Sequence, residues 1–184
     1  MSILVTQRKA KVFDREKLMN AALRALGVRG HSTSELRDKL RRRGSPEDVD
    51  AVMATLKAAG YLDDQRFAES YAAGRRENHL GKMRVLRDLR QRRVPAKVAE
   101  KAAEEAYRDT NETALIEEFL ARKYRGKKLG EFLADEKNLA SAFRRLRYAG
   151  FSAGASIAVL KRYARGGEAL DALESDGEEQ AEDR

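Results

Sequence analysis

The chain has no cysteine, no tryptophan, two prolines and only two histidines, His31 and His79, set far apart. Without cysteine there is no disulfide, no thiolate metal site and no cysteine nucleophile. The separation of the histidines gives no basis for a histidine metal centre, and neither a metal nor a cofactor is expected. Long apolar runs are also missing. The longest uncharged stretch, Tyr148 to Leu160, is interrupted by Ser and Gly and is too short to span a bilayer. Only Ile3, Leu4 and Val5 form an apolar run near the start, so no signal peptide is expected. These shortages predict a soluble, cytoplasmic protein with no membrane partner.

Charge, by contrast, is plentiful. Of 184 residues 37% are charged, and 38 Lys and Arg exceed 30 Asp and Glu by eight. An apolar fraction of 42% is enough for a core, which argues against wholesale disorder. The charge is unevenly placed. Residues 166–184 hold eight acidic side chains and one basic one, a net of −7, so residues 1–165 carry +15. The densest basic block runs from Arg75 to Arg93, with eight basic and two acidic residues. A body at +15 points to a polyanionic partner, because neutralising phosphates releases counterions. A solvated helical surface would give the same composition. The acidic tail reads as disordered beyond Gly166-Gly167. It is either an inert solubilising segment or a competitor of DNA for the basic face.

Both prolines fall in one recurring pattern. Leu40-Arg-Arg-Arg-Gly-Ser-Pro46 is echoed by Leu89-Arg-Gln-Arg-Arg-Val-Pro95 and, more loosely, by Leu146-Arg-Tyr-Ala-Gly-Phe-Ser152. Each copy lies between amphipathic stretches and reads as a helix–turn–helix corner. Gly44 and Gly150 suit a left-handed position ending the incoming helix. Ser45, Pro46 and Asp48 suit the cap and first turn of the next helix, and Ser152 suits the third cap. Arg93 stands at the glycine position of the middle copy, where a left-handed backbone costs about 1 kcal/mol.

Apolar residues recur at three- and four-residue spacing around these corners. The sets are Leu18, Ala22, Leu26; Leu36, Leu40; Val49, Val52, Met53, Leu56; Phe67, Tyr71; Leu86, Leu89; Val98, Ala102, Ala106; Leu115, Phe119; Leu139, Phe143, Leu146; and Ile157, Leu160. Ser32 and Glu35 form a capping box before Leu36. No sustained two-residue alternation occurs. The expected fold is therefore all-α: an elongated, curved array of three tandem three-helix repeats, nine helices in all. Its parts are an N-terminal arm (1–14), helical repeats at 15–64, 65–112 and 113–165, and the acidic tail (166–184).

Between the first two repeats, Gly60-Tyr-Leu-Asp-Asp-Gln-Arg-Phe-Ala68 ends one helix and starts another. Asp63 or Asp64 suits an N-cap. Adjacent carboxylates also suit a metal or an acid–base pair, but no third ligand lies nearby. This string, with Ser34-Glu35-Leu36 before Leu40 and the repeated corners, resembles the RecX family of recombinase regulators over about residues 15 to 165. The resemblance implies three tandem three-helix repeats and a protein that binds the RecA recombinase–DNA filament in its helical groove; the chain itself is expected to be a monomer. It further implies that ATP hydrolysis and strand exchange by the filament are modulated, usually restrained, in recombination and repair. Arg93 departs from the family's glycine, and the arm and tail lie outside the resemblance.

No nucleophile–base pair or phosphate-cradling loop is present: Gly126, Gly130 and Lys127-Lys128 do not form a Walker motif. No intrinsic catalysis is expected. The candidate contacts to the filament and to single-stranded and duplex DNA are Arg75, Arg76, Lys82, Arg84, Arg87 and Arg90 in repeat two, then Arg144, Arg145 and Arg147 in repeat three. Ser45, Pro46, Asp63 and Asp64 are structural caps. The six tyrosines suit either base stacking or packing between repeats. His31 and His79 read as surface loop residues. The rival reading is a stand-alone basic DNA-binding protein whose helix–turn–helix corners read duplex sequence. The helices after the corners, rich in Ala, Glu and Asp, argue against base readout.

Overall fold

The computed structural model describes residues 13–163, and the acidic tail and most of the N-terminal arm lie outside them. Ten helices follow in order: α1 Arg15–Val28, α2 Thr33–Arg41, α3 Pro46–Ala58, α4 Asp64–Glu77, α5 Lys82–Gln91, α6 Ala96–Tyr107, α7 Glu112–Lys123, α8 Leu129–Phe132, α9 Glu136–Ala149 and α10 Ala153–Leu160. Apart from one parallel bridge, Phe13 to Gly44, the described residues hold no β-structure. The fold is all-α. Ten helices replace the expected nine, because the turn α8 is inserted before α9 and gives the last unit four helices.

Helix starts are set by short polar side chains that accept from a backbone N–H three residues on. Asp14, Ser32, Ser45, Asp63, Asn111, Asp135 and Ser152 cap α1, α2, α3, α4, α7, α9 and α10 in this way. Pro46 occupies the first turn of α3, where its missing N–H is harmless. Only half of the capping box at Ser32 forms. The Glu35 N–H donates to Ser32 Oγ at 3.1 Å, while the Glu35 carboxylate turns to the Arg29 guanidinium.

The helices bury three separate cores. The first holds Leu18, Leu36, Leu40 and Leu56 from α1–α3, each at most 1% exposed. The second, from α4–α6, is mostly alanine: Ala68, Ala72, Ala99, Ala102 and Ala103 surround Val85 and Leu89. The third contains Ile116, Leu120, Leu133, Leu146, Phe151 and Leu160. A fully buried leucine contributes about 1.5–3 kcal/mol and an alanine far less. The middle unit is thus the one that most needs its neighbours.

That small core refines the expected stripes of the middle unit, whose Leu89 and Ala102 are buried as expected. Ala68, Ala72, Val85 and Ala99 are buried, each one residue away from the half-buried Phe67, Tyr71, Leu86 and Val98. These larger side chains pack around the rim of the same core, and Phe67 also lies against Gly30 of the preceding unit. Gly44 is also corrected: it does not adopt positive φ, and its small size serves close approach, since a Cβ there would run into the Leu18 side chain. Left-handed backbone occurs at Gly150 (φ 92°) and at Arg93 (φ 57°).

Candidate nucleic-acid interface

Each corner presents a carbonyl three residues after its leucine, on Arg43, Arg92 and Ala149, and each carbonyl is closed by the element before it. Arg43 O accepts from the N–H of Phe13 at 2.6 Å. Arg92 O accepts from the hydroxyl of Ser32, the N-cap of α2. Ala149 O accepts from the N–H of Gly81, the N-cap of α5, at 2.9 Å. Successive units are therefore joined by one rule, corner against the N-terminus of the preceding middle helix, and they stand in chain order.

At the first joint the contacts are polar and ionic. Asp64 Oδ1 accepts from the Thr33 N–H at 2.7 Å, Arg93 pairs with Asp38, and Arg92 lies 3.5 Å from Glu35. The Arg92 guanidinium also covers the rings of Phe67 and Tyr71 at 5.8 and 5.0 Å. His31 is not a surface loop residue as the sequence suggested. It is 6% exposed inside this joint, with Nδ1 3.2 Å from Glu35 Oε2 but off the line of a hydrogen bond. Burial pushes its pKa down, Arg29 and Lys39 push the same way, and Glu35 opposes them.

The second joint is mainly backbone. Besides the Gly81 bond, the Met83 N–H donates to Gly150 O at 3.1 Å. Cβ atoms on Gly81 or Gly150 would fall inside the opposing backbone. Arg87 Nη2 donates to Tyr148 O at 2.8 Å, and the Arg84 and Arg87 guanidiniums lie 4.8 and 5.2 Å from the Tyr148 ring centre. Tyr107, half-buried beside this joint, donates to Leu80 O at 2.6 Å, and desolvation pushes its pKa up to about 12.

Between the joints sits Asp88, 8% exposed. It accepts from Arg84 Nε at 2.8 Å and from the Tyr71 hydroxyl at 3.0 Å, with Arg75 Nε 3.9 Å away. One carboxylate thereby connects Tyr71, which the first joint's Arg92 covers, with Arg84, which supports Tyr148 at the second. Tyr148 and the Asp88 carboxylate raise the Arg84 pKa against the effect of its partial burial.

The sequence-predicted cations fall into distinct groups. Arg84 and Arg87 are brought against α9. Arg90 continues their exposed stripe on α5, and Arg144 and Arg145 are exposed on α9 one turn before Tyr148. Arg75 turns inward, donating to the Tyr71 hydroxyl at 2.7 Å. Arg76 and Arg147 satisfy main-chain carbonyls, Ala106 O at 3.1 Å and Phe151 O at 2.6 Å. Lys82 is half-buried in the first turn of α5. Sequence reasoning missed Asp88, Arg92 and the separate status of Tyr148. Asp88 was findable, because it sits four residues after Arg84 and beside the core residue Leu89.

Among the described residues no group of three His, Asp or Glu is placed to hold a metal ion, and no helix is long and apolar enough to cross a membrane. Caps, corners and cores together define a tandem array of small helical units with cations gathered at and between its joints. The family model for the first three-helix domain of RecX matches residues 19–56, and that for the second matches residues 63–102. Regulatory protein RecX of Shigella sonnei (strain Ss046) is 35% identical over 119 residues, covering 59% of this chain and 70% of that protein. The same identity and coverage hold for regulatory protein RecX of Escherichia coli (strain SE11). The crystal structure of RecX from Lactobacillus salivarius superposes with a TM-score of 0.60 at 21% identity, covering 82% of this chain and 96% of that one. A second crystal structure of regulatory protein RecX gives 0.61 at 19% identity, covering 79% and 72%. The chain belongs to the RecX family.

Proposed function

We propose that this protein is a monomeric, cytoplasmic regulator that binds the RecA recombinase–DNA filament, lodges in its helical groove, and restrains ATP hydrolysis and strand exchange. The observation that carries this reading is the pair of closed joints. They join successive units in chain order and bring Arg84 and Arg87 of α5 against Tyr148 of α9, which supports the reading. An array of that kind contacts several filament protomers at once, and its units bind with high effective concentration. Bridging neighbours restrains the motions of turnover without any chemistry by the regulator itself. The units at 15–64, 65–112 and 113–165 are the contacting modules; Arg90, Arg144 and Arg145 are the exposed cations that face DNA, and Arg84 and Arg87 act beside Tyr148. Arg75, Arg76 and Arg147 act chiefly by holding their own units together.

The test is a titration into recombinase–single-stranded DNA filaments, following ATP hydrolysis, with free DNA binding measured in parallel. Falling hydrolysis as the protein saturates the filament is expected. Unchanged hydrolysis together with tight, sequence-specific duplex binding would replace this reading with the stand-alone DNA-binding protein. The composition of α6, where Lys97 and Lys101 alternate with Glu100, Glu104 and Glu105, speaks against that outcome.

A further inference from the structure

The six tyrosines have different surroundings. Tyr71 is covered by Arg75 and Arg92, Tyr107 is bound to Leu80 O, and Tyr124 packs on Phe132 at 4.9 Å between ring centres. Tyr163 is half-buried against the third core. Tyr61 is 57% exposed, but no cation of the described residues lies over its ring. Tyr148 alone combines high exposure, 68%, with two guanidiniums against the ring.

We propose that Tyr148 is a stacking platform for an unpaired base of single-stranded DNA, held from below by Arg84 and Arg87. This deepens the DNA-facing part of the proposed function and rests on that reading. Both guanidiniums come from α5, and with Tyr148 still 68% exposed the ring keeps surface open to solvent. Arg84 is fixed by Asp88, and Arg87 is fixed by the carbonyl of Tyr148 itself. The ring is thus oriented before any ligand arrives, which reduces the ordering a ligand must impose. Lys137, Arg144 and Tyr148 share one exposed stripe of α9 by helical spacing, and no carboxylate among the described residues pairs with either cation. A strand whose base stacks on Tyr148 finds cations for its neighbouring phosphates along that stripe. The combination of an oriented aromatic face and a cationic track suits single strands, whose bases are available for stacking, better than a duplex.

The experiment compares the full chain with Tyr148→Ala and Tyr148→Trp at low salt, measuring fluorescence anisotropy of a short labelled dT oligonucleotide and of an abasic strand of equal length. Tyr148→Ala should bind the dT strand about 5- to 150-fold more weakly, the span of one base–aromatic stack. Tyr148→Trp should retain affinity, and all three proteins should bind the abasic strand alike. Unchanged dT binding by Tyr148→Ala overturns the proposal. Equal weakening on both strands also overturns it, because the ring would then act only through the joint. Filament ATP hydrolysis, read in parallel, separates the two ideas. Loss of restraint with normal dT binding removes the platform alone. No restraint by the wild-type chain, with the dT defect intact, removes the filament reading alone.

Discussion

The two joints perform the same task with opposite chemistry. Between the first and second units, the corner carbonyl is met by a serine hydroxyl, and charged side chains surround it: Arg92, Arg93, Asp38 and Glu35. Between the second and third, it is met by a backbone N–H, and the flanking glycines allow main chain to lie directly on main chain. Arg93 and Gly150 hold the same place in the repeat and share left-handed backbone, yet one extends a side chain to Asp38 while the other has no room for a Cβ. A joint made of side chains is adjustable and salt-sensitive; one made of backbone contacts is steric and tolerates almost no substitution. The array is accordingly expected to flex at its first joint and to stay rigid at its second.

The sharpest way to break this contrast is Gly150→Ala. The new methyl meets the Arg84 backbone and forces an L-residue to φ near 92°. Strain and overpacking together should cost on the order of 3 kcal/mol or more, seen as a large fall in the urea midpoint. Asp88→Ala comes next, because it leaves Arg84 without its carboxylate and Tyr71 without its acceptor. Bonds of this kind, involving a charged partner, contribute about 1.5–3 kcal/mol. The loss should appear in denaturant unfolding and as a changed near-ultraviolet tyrosine signal, reporting both joints at once.

Legibility in the sequence follows the same division. Helices, corners and caps depend on local chemistry, so Ser45-Pro46, Ser152 and the leucines of the corners indicate an all-α repeat without any structure. The third dimension of the site was less visible. Nothing local says that Arg92, while covering Phe67 of its own unit, also reaches Glu35 of the preceding one, or that His31 is enclosed rather than exposed. The stripes of the middle unit have a physical cause: its fully buried centre is alanine-lined, and the bulkier Phe67, Tyr71, Leu86 and Val98 pack around its half-buried rim. Among the predicted cations, spacing could not separate Arg87, which supports Tyr148, from Arg76, which closes a carbonyl. Distance in sequence hides that difference, because each partner lies on another helix.

Two weaker perturbations probe the ionic joint. Ser32→Ala removes the cap of α2 and the closure of Arg92 O in one step, and about 1–2 kcal/mol should be lost in thermal or urea unfolding. Acidification should act on the same place through His31. Its folded pKa lies below the ordinary value of 6.5, so the unfolded chain takes up the proton first. Its stability contribution is complete above pH 6.5 and declines as pH falls toward the lowered folded value. The neighbouring Arg29 and Lys39 strengthen this trend and Glu35 opposes it. A urea midpoint that declines between pH 7 and 6 in the wild type and declines less in His31→Asn is the expected pattern. An identical decline in both would place the titration elsewhere.

The smallest expected effect is the most diagnostic. Arg93→Gly relieves a left-handed arginine, worth about 1 kcal/mol, and removes the exposed pair with Asp38, worth about 0.2–1 kcal/mol. The two nearly cancel, so the midpoint should barely move at low salt and should favour the glycine variant at high salt, where the ion pair is screened. Gly150→Ala, the reverse exchange at the corresponding position of the next repeat, should be damaging at every salt concentration. If Arg93→Gly were instead strongly destabilising and insensitive to salt, the first joint would be as steric as the second, and the expected flexing between the first and second units would be lost.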